Sequence, residues 1–170
     1  MRLQHLSAII ADDQRSSREI AAEILKIAGM RDIRHAGDGG EAFGLVCERA
    51  PDFLILNLEM PYDGVKALRQ IRTAAISPNR RLPVIMMTAY ATPARIVAMR
   101  DAGATEVVSK PLTAANLLAR IQAALLHPRP FIDEATYVGP DRRRGRHGVY
   151  AGPLRRTTDG AGDVFEIDVA

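Results

Sequence analysis

Cysteine is nearly missing from this 170-residue chain: Cys47 stands alone, which excludes an intramolecular disulfide and any cysteine-rich metal site. Its place on one helical face with Phe43, Val46 and Ala50 predicts a buried small hydrophobe rather than a reactive thiol. The four histidines, His5, His35, His127 and His147, lack the paired spacing of a zinc-binding helix and read as structural or solvated. Long apolar runs are missing too, so no segment is expected to cross a bilayer. The opening stretch "MRLQHLSAIIADD" passes directly into two carboxylates without a small-residue cleavage site. It therefore predicts no secretory signal and a cytoplasmic location.

What is present is a regular alternation of short apolar runs and helix-period stretches. "LSAIIADD" reads as a buried strand ending in acids, and "SSREIAAEILKIAG" as a Ser-capped helix with Ile20, Ile24 and Ile27 inward and Gly29 as its stop. "DIRHAG", "FLILN", "LPVIMMTA" and "EVVS" continue the strands. "GGEAFGLVCERA", "VKALRQIRTA", "PARIVAMRDAG" and "TAANLLARIQAALL" continue the helices, the second of these with Val65, Leu68 and Ile71 inward. Five such units in succession predict an α/β fold, a doubly wound five-stranded parallel sheet over residues 1–127.

Residues 128–170 break the pattern. They are rich in Pro, Gly and Arg and read as an irregular, flexible tail. Tyr137-Val-Gly-Pro-Asp-Arg-Arg recurs thirteen residues later as Tyr150-Ala-Gly-Pro-Leu-Arg-Arg, which suggests two short linear motifs on one arm. Phe131 and Ile132 are expected to anchor the start of that arm.

Parallel strands bring their carboxyl ends to one crevice. Asp12 and Asp13, Asn57, Thr88 and Lys110 all fall at such ends. Two acids on the first strand suit a hard divalent cation such as magnesium, and a nearby hydroxyl and ammonium suit phosphoryl oxygens. Taken singly, each residue reads as an ordinary helix-start acid or surface charge; their joint occurrence at successive strand ends argues otherwise.

Asp12-Asp13, "FLILNLEMPYDG", Thr88-Ala89 and "DAGATEVVSKP", with the spacing among them, resemble the receiver domain of two-component response regulators. The resemblance covers about residues 5–127 and implies the flavodoxin-like receiver fold. It further implies that Asp12, Asp13, position 57 and the backbone carbonyl of Glu59 surround magnesium, that position 57 is the phosphoacceptor, and that Thr88 and Lys110 respond to the phosphoryl group. The tail, "HPRPFI" followed by "YVGPDRRR", is similar to that of stand-alone bacterial receivers without a DNA-binding domain.

Three departures shape the functional expectation. Asn57 stands at the acceptor position, where an amide offers no carboxylate nucleophile, so magnesium binding is expected to be weak or absent and ordinary phosphorylation blocked. "MPYDG" is one residue shorter than the family's usual loop. Val107 replaces the aromatic switch. The chain thus reads as a non-enzymatic signalling receiver, a natural pseudo-receiver or a phosphorylation-defective form. Its expected partner is a histidine kinase, a phosphotransferase or another signalling protein, with self-association through the last two helices as a further option. The alternative is a nucleic-acid-binding protein using Arg142, Arg143, Arg144, Arg146, Arg155 and Arg156, with Tyr137 and Tyr150 as stacking groups.

Overall fold

Alternation along each strand divides the apolar side chains between two helical layers. In the computed structural model, which describes residues 3–142, the strands are β1 (Ser7–Ala11), β2 (Asp32–Ala36), β3 (Phe53–Asn57), β4 (Val84–Thr88) and β5 (Glu106–Ser109). They form one parallel sheet in the order β2-β1-β3-β4-β5. Helices α1 (Arg15–Ile27), α2 (Gly39–Glu48), α3 (Gly64–Thr73), α4 (Pro93–Asp101) and α5 (Ala114–Leu126) connect and follow them. Ile9, Ala11, Leu54 and Leu56 point toward α2, α3 and α4, where they meet Val46, Leu68 and Met99. Ala8, Ile10, Phe53 and Ile55 point the other way, onto Ala21, Leu25, Leu117 and Ile121 of α1 and α5. Burial on both faces explains why these strands are continuous apolar runs.

The expected inward faces of α3 and of the strands are present, but that of α1 is displaced by one residue. Ala21, Ala22 and Leu25 are buried, whereas Ile20 is 52% and Ile27 81% exposed. The stripes Ile20–Ile24–Ile27 and Ala21–Leu25–Ala28 lie about 100° apart on a helix, and the smaller residues allow α1 to lie close over the sheet beside α5. The expected Ser cap is absent as well: Gln14 occupies the cap position, with no side-chain cap bond. Cys47 is only half-buried and Ala50 exposed, so the predicted buried thiol face is not formed there.

The larger departure lies after α5. Where a flexible arm is expected from residue 128, strands β6 (Phe131–Glu134) and β7 (Tyr137–Pro140) form an antiparallel hairpin. Composition missed it because few apolar groups hold it. Its anchor is the α4–β5 corner at Gly103, which has φ 98°. A Cβ at Gly103 would lie 2.7 Å from the Val138 carbonyl, and one at Gly139 would lie 2.6 Å from the Gly103 Cα. The two glycines let backbones touch. Gly103→Ala is therefore expected to lift β7 and to lower stability by about 1–3 kcal/mol, readable in a urea melt. An unchanged melt would contradict the contact.

The remaining anchors are polar. Tyr137, buried to 7% exposure, donates its hydroxyl to the Pro140 carbonyl at 2.6 Å. Arg142 stacks over the Tyr137 ring at 4.4 Å and pairs with Asp101 at 3.1 Å. Burial pushes the Asp101 carboxyl up, but Arg142 and Arg100 outweigh it and hold it below the usual carboxylate range. Arg129 donates to the Ala104 and Thr105 carbonyls, and Asp133 pairs with Arg80 at 3.2 Å. Phe131 receives Arg72 and Arg81 over its ring at 5.7 and 5.4 Å, in keeping with its expected role as an anchor. The tail expectations for Arg143, Arg144, Tyr150, Arg155 and Arg156 lie outside the described residues.

Candidate functional site

The carboxyl edge of the sheet gathers the charged and polar residues that the strand ends promise. Asp12, just past β1, is fully buried, and Asn57, the last residue of β3, is 2% exposed. Lys110 follows β5 and reaches the Asp12 carboxylate, Nζ to Oδ2 at 2.5 Å. Arg18 on α1 donates to the Asp12 backbone carbonyl. Asp13 is exposed and lies outside this buried pair.

Asn57 supplies the distinctive geometry. Its Nδ2 donates to the Glu59 backbone carbonyl at 2.7 Å and to Asp12 Oδ1 at 3.3 Å. Its Oδ1 is buried without a hydrogen-bond partner among the described residues. The amide orientation follows from the surroundings, since turning it over would set Oδ1 against a carbonyl and a carboxylate. Each of the three oxygens facing the crevice from Asp12 and Glu59 thus accepts from a nitrogen. Among the described residues, no three His, Cys, Asp or Glu side chains gather into a group able to hold a metal.

A second network was not foreseen from sequence. The Glu59 side chain, two residues past Asn57, accepts the Thr88 hydroxyl at 2.7 Å and the Ala89 backbone N–H at 3.4 Å. Arg95, in the first turn of α4, forms an ion pair with the same carboxylate. Only the Glu59 backbone carbonyl carries an expected role; the available signal was an acid on the loop after β3 and an arginine at the start of α4, which follows the adjacent strand β4. Thr88 itself is fully buried.

The short loop after β3 closes without visible disorder of the helix start. Asp63 caps α3, accepting from Val65 N–H at 2.6 Å and Lys66 N–H at 3.4 Å. Gly64 lies so near Asn57 that a Cβ there would sit 2.1 Å from the Asn57 carbonyl oxygen. Gly64→Ala should therefore displace the loop bearing Asn57 and cost about 1–3 kcal/mol in a denaturant titration. A neutral outcome would contradict this close approach.

Val107 is half-buried and packs against the core cluster on the α2–α4 side. It also lines an open hollow of about 600 Å³ together with Ile96, Arg100, Asn116 and Arg120. Tyr137 and Arg142, assigned to nucleic-acid stacking and phosphate contact under the alternative reading, are instead engaged with each other and with the α4–β5 corner. A buried tyrosine offers no face for a base.

A doubly wound parallel sheet with an acid after β1, a polar side chain ending β3, a hydroxyl ending β4 and a lysine after β5 defines a receiver-type signalling module. The family model for the response regulator receiver domain matches residues 8–122, and this chain belongs to that family. It is 37% identical over 123 residues to the response regulator MprA of Mycobacterium leprae, an alignment spanning 72% of this chain and 52% of that protein. The chain thus spans about half the length of the curated relatives it matches. Among solved structures, a response regulator from Chloroflexus aurantiacus is similar with a TM-score of 0.66 and 28% identity, covering 71% of this chain and 98% of that one. The CheX–CheY complex of Borrelia burgdorferi, which contains BeF3 and magnesium, gives a TM-score of 0.64 and 25% identity over 70% and 88% of the respective chains. The flavodoxin-like receiver fold and membership of two-component signalling are thereby established. No helix among the described residues is long and apolar enough to cross a membrane.

Proposed function

We propose that this chain is a pseudo-receiver, a cytoplasmic, non-enzymatic module that signals by protein–protein contact without taking a phosphoryl group at position 57. The observation that carries this reading is the Asn57 amide donating to both Asp12 and the Glu59 carbonyl. These N–H bonds occupy oxygens that would otherwise turn toward a cation, and the amide brings no negative charge of its own. The residues present therefore do not fit a firmly held magnesium ion. Nor does the amide oxygen supply a nucleophile toward phosphorus.

Glu59 strengthens the reading. Its carboxylate gives Thr88 and the Ala89 N–H an internal anion, so the hydroxyl and amide that would answer a phosphoryl group are already engaged. Arg95 carries that contact to α4. The partner is a histidine kinase, a phosphotransferase or another receiver-binding protein. The α4–β5–α5 side, with Ile96 and Val97 at 40% and 42% exposure, offers a face for such a partner or for a second copy.

Two measurements test the proposal. Calorimetric titration with magnesium should give no saturable heat in the concentration range where an acid-lined receiver site fills; a well-defined single-site isotherm there would overturn the metal claim. Intact-mass analysis after incubation with magnesium and acetyl phosphate should show no phosphoryl adduct. An adduct would show that the chain has an acceptor and end the pseudo-receiver reading.

A further inference from the structure

The hairpin shows what the tail motif recognises. Of Tyr137-Val-Gly-Pro-Asp-Arg, Tyr137, Gly139 and Arg142 meet the α4–β5 corner. Tyr137 lies against it and closes on the Pro140 carbonyl, with a longer contact from its hydroxyl to the Arg100 carbonyl at 3.4 Å. Gly139 permits the backbone approach to Gly103. Pro140 is buried. Arg142 bridges the Tyr137 ring and Asp101. Asp141 adds backbone bonds, its N–H donating to the Pro130 carbonyl at 2.7 Å and its carbonyl accepting from Arg129.

Tyr150-Ala-Gly-Pro-Leu-Arg keeps Tyr, Gly, Pro and Arg at the same four positions. It differs at the residue corresponding to half-buried Val138 and at the one corresponding to Asp141. From this we infer that the Gly103 corner is a peptide-binding site for a Tyr-x-Gly-Pro-x-Arg segment, and that residues 150–156 of the same chain are its second, interchangeable occupant. β6 can pair with either segment, because its bonds to β7 are between backbones.

Loop length sets the order of preference. The connection from Glu134 grows from two residues before Tyr137 to fifteen before Tyr150. Loop-closure entropy then favours the first segment by about twentyfold. The first segment is seated in the natural chain, and the second takes over when the first is damaged.

The test uses the full chain and amide hydrogen exchange. Gly139→Val places a branched side chain against the Gly103 Cα, evicting the first segment while leaving the corner itself intact. Tyr137→Ala does the same by a different route. In either variant, protection across residues 150–156 should rise at least severalfold over the natural chain and should vanish again when Tyr150→Ala is added. The gain should be independent of protein concentration. Unchanged exchange across 150–156 in both variants would overturn the inference, and a gain that grows with concentration would overturn its same-chain form in favour of docking on a second copy. Should both variants unfold, a synthetic peptide of residues 148–158 added to the natural chain provides the remaining readout. It should raise exchange across residues 137–142 in a saturable manner, and no change would reject the shared site.

Discussion

Asn57→Asp is expected to convert a chain that takes no phosphoryl group into one that is labelled by acetyl phosphate in the presence of magnesium. The substitution removes the Nδ2 donor that now bonds Asp12 and the Glu59 carbonyl, and sets a carboxylate beside both. Unscreened, three negative or partly negative groups in a buried site repel, so a divalent cation gains what the amide formerly supplied. The new carboxylate also supplies the missing nucleophile, and Lys110, 2.5 Å from Asp12, lies within the same cluster to meet phosphoryl oxygens. The expected product is an acid-stable, base-labile adduct at residue 57. Failure of the substituted chain to label would point to the shortened loop rather than the amide, although Asp63 and Gly64 hold that loop onto α3 and β3 in an orderly way. Output should change only modestly even when labelling succeeds. Val107 has no ring to reorient beside Thr88, and Glu59 competes with the new phosphoryl group for the Thr88 hydroxyl.

The largest expected loss of stability follows from Arg72, not from the site. Arg72 lies in the last turn of α3 at 1% exposure and is held by backbone carbonyls: Nε and Nη2 donate to the Gly103 carbonyl at 3.0 and 2.9 Å, and Nη1 to the Arg80 and Leu82 carbonyls, both at 2.8 Å. Burial pushes its pKa down to about 10, with Tyr137 acting in the opposite direction, so the guanidinium stays charged at neutral pH. One side chain thus ties together the end of α3, the loop before β4 and the corner where the hairpin sits. Arg72→Met would fill much of the volume but leave three carbonyls without their donor, at a cost of about 3 kcal/mol or more. A thermal melt should fall by about 10 °C, given the usual sensitivity of domains of this size. Arg72→Lys should recover little, because a single ammonium cannot reproduce the planar fork. A shift of only a degree or two for Arg72→Met would show that these carbonyls find other partners.

How far the sequence discloses this molecule depends on the kind of interaction. The sheet was legible because its central strands, such as "FLILN", are apolar on both faces, and the helix starts other than that of α1 carry a local signal such as Asp38, Asp63, Pro93 or Thr113. Asp12, Asn57, Thr88 and Lys110 were legible because strand ends converge by topology alone. The Glu59–Arg95 contact was not, since it depends on a loop side chain and a helix-start side chain separated by 36 residues and on their rotamers. The burial of Arg72 was hidden for a related reason: Leu68 and Ile71 announce an inward face, but nothing local marks an adjacent arginine as the residue that three distant carbonyls will receive. The hairpin escaped notice because glycine contact, carbonyl acceptance and cation–ring stacking leave no hydrophobic period.

The Asn57 amide occupies, with its N–H groups, the Asp12 carboxylate and the Glu59 backbone carbonyl. The most direct test of these bonds is the pair of Asn57 side-chain amide signals in a nitrogen–proton correlation spectrum, assigned by their loss in Asn57→Asp and followed through a magnesium titration. Two well-separated, slowly exchanging protons are expected, with shifts that do not move as magnesium rises into the millimolar range. A saturating shift at sub-millimolar magnesium would mean that the amide has turned its oxygen to a bound cation and that its N–H groups do not hold these oxygens.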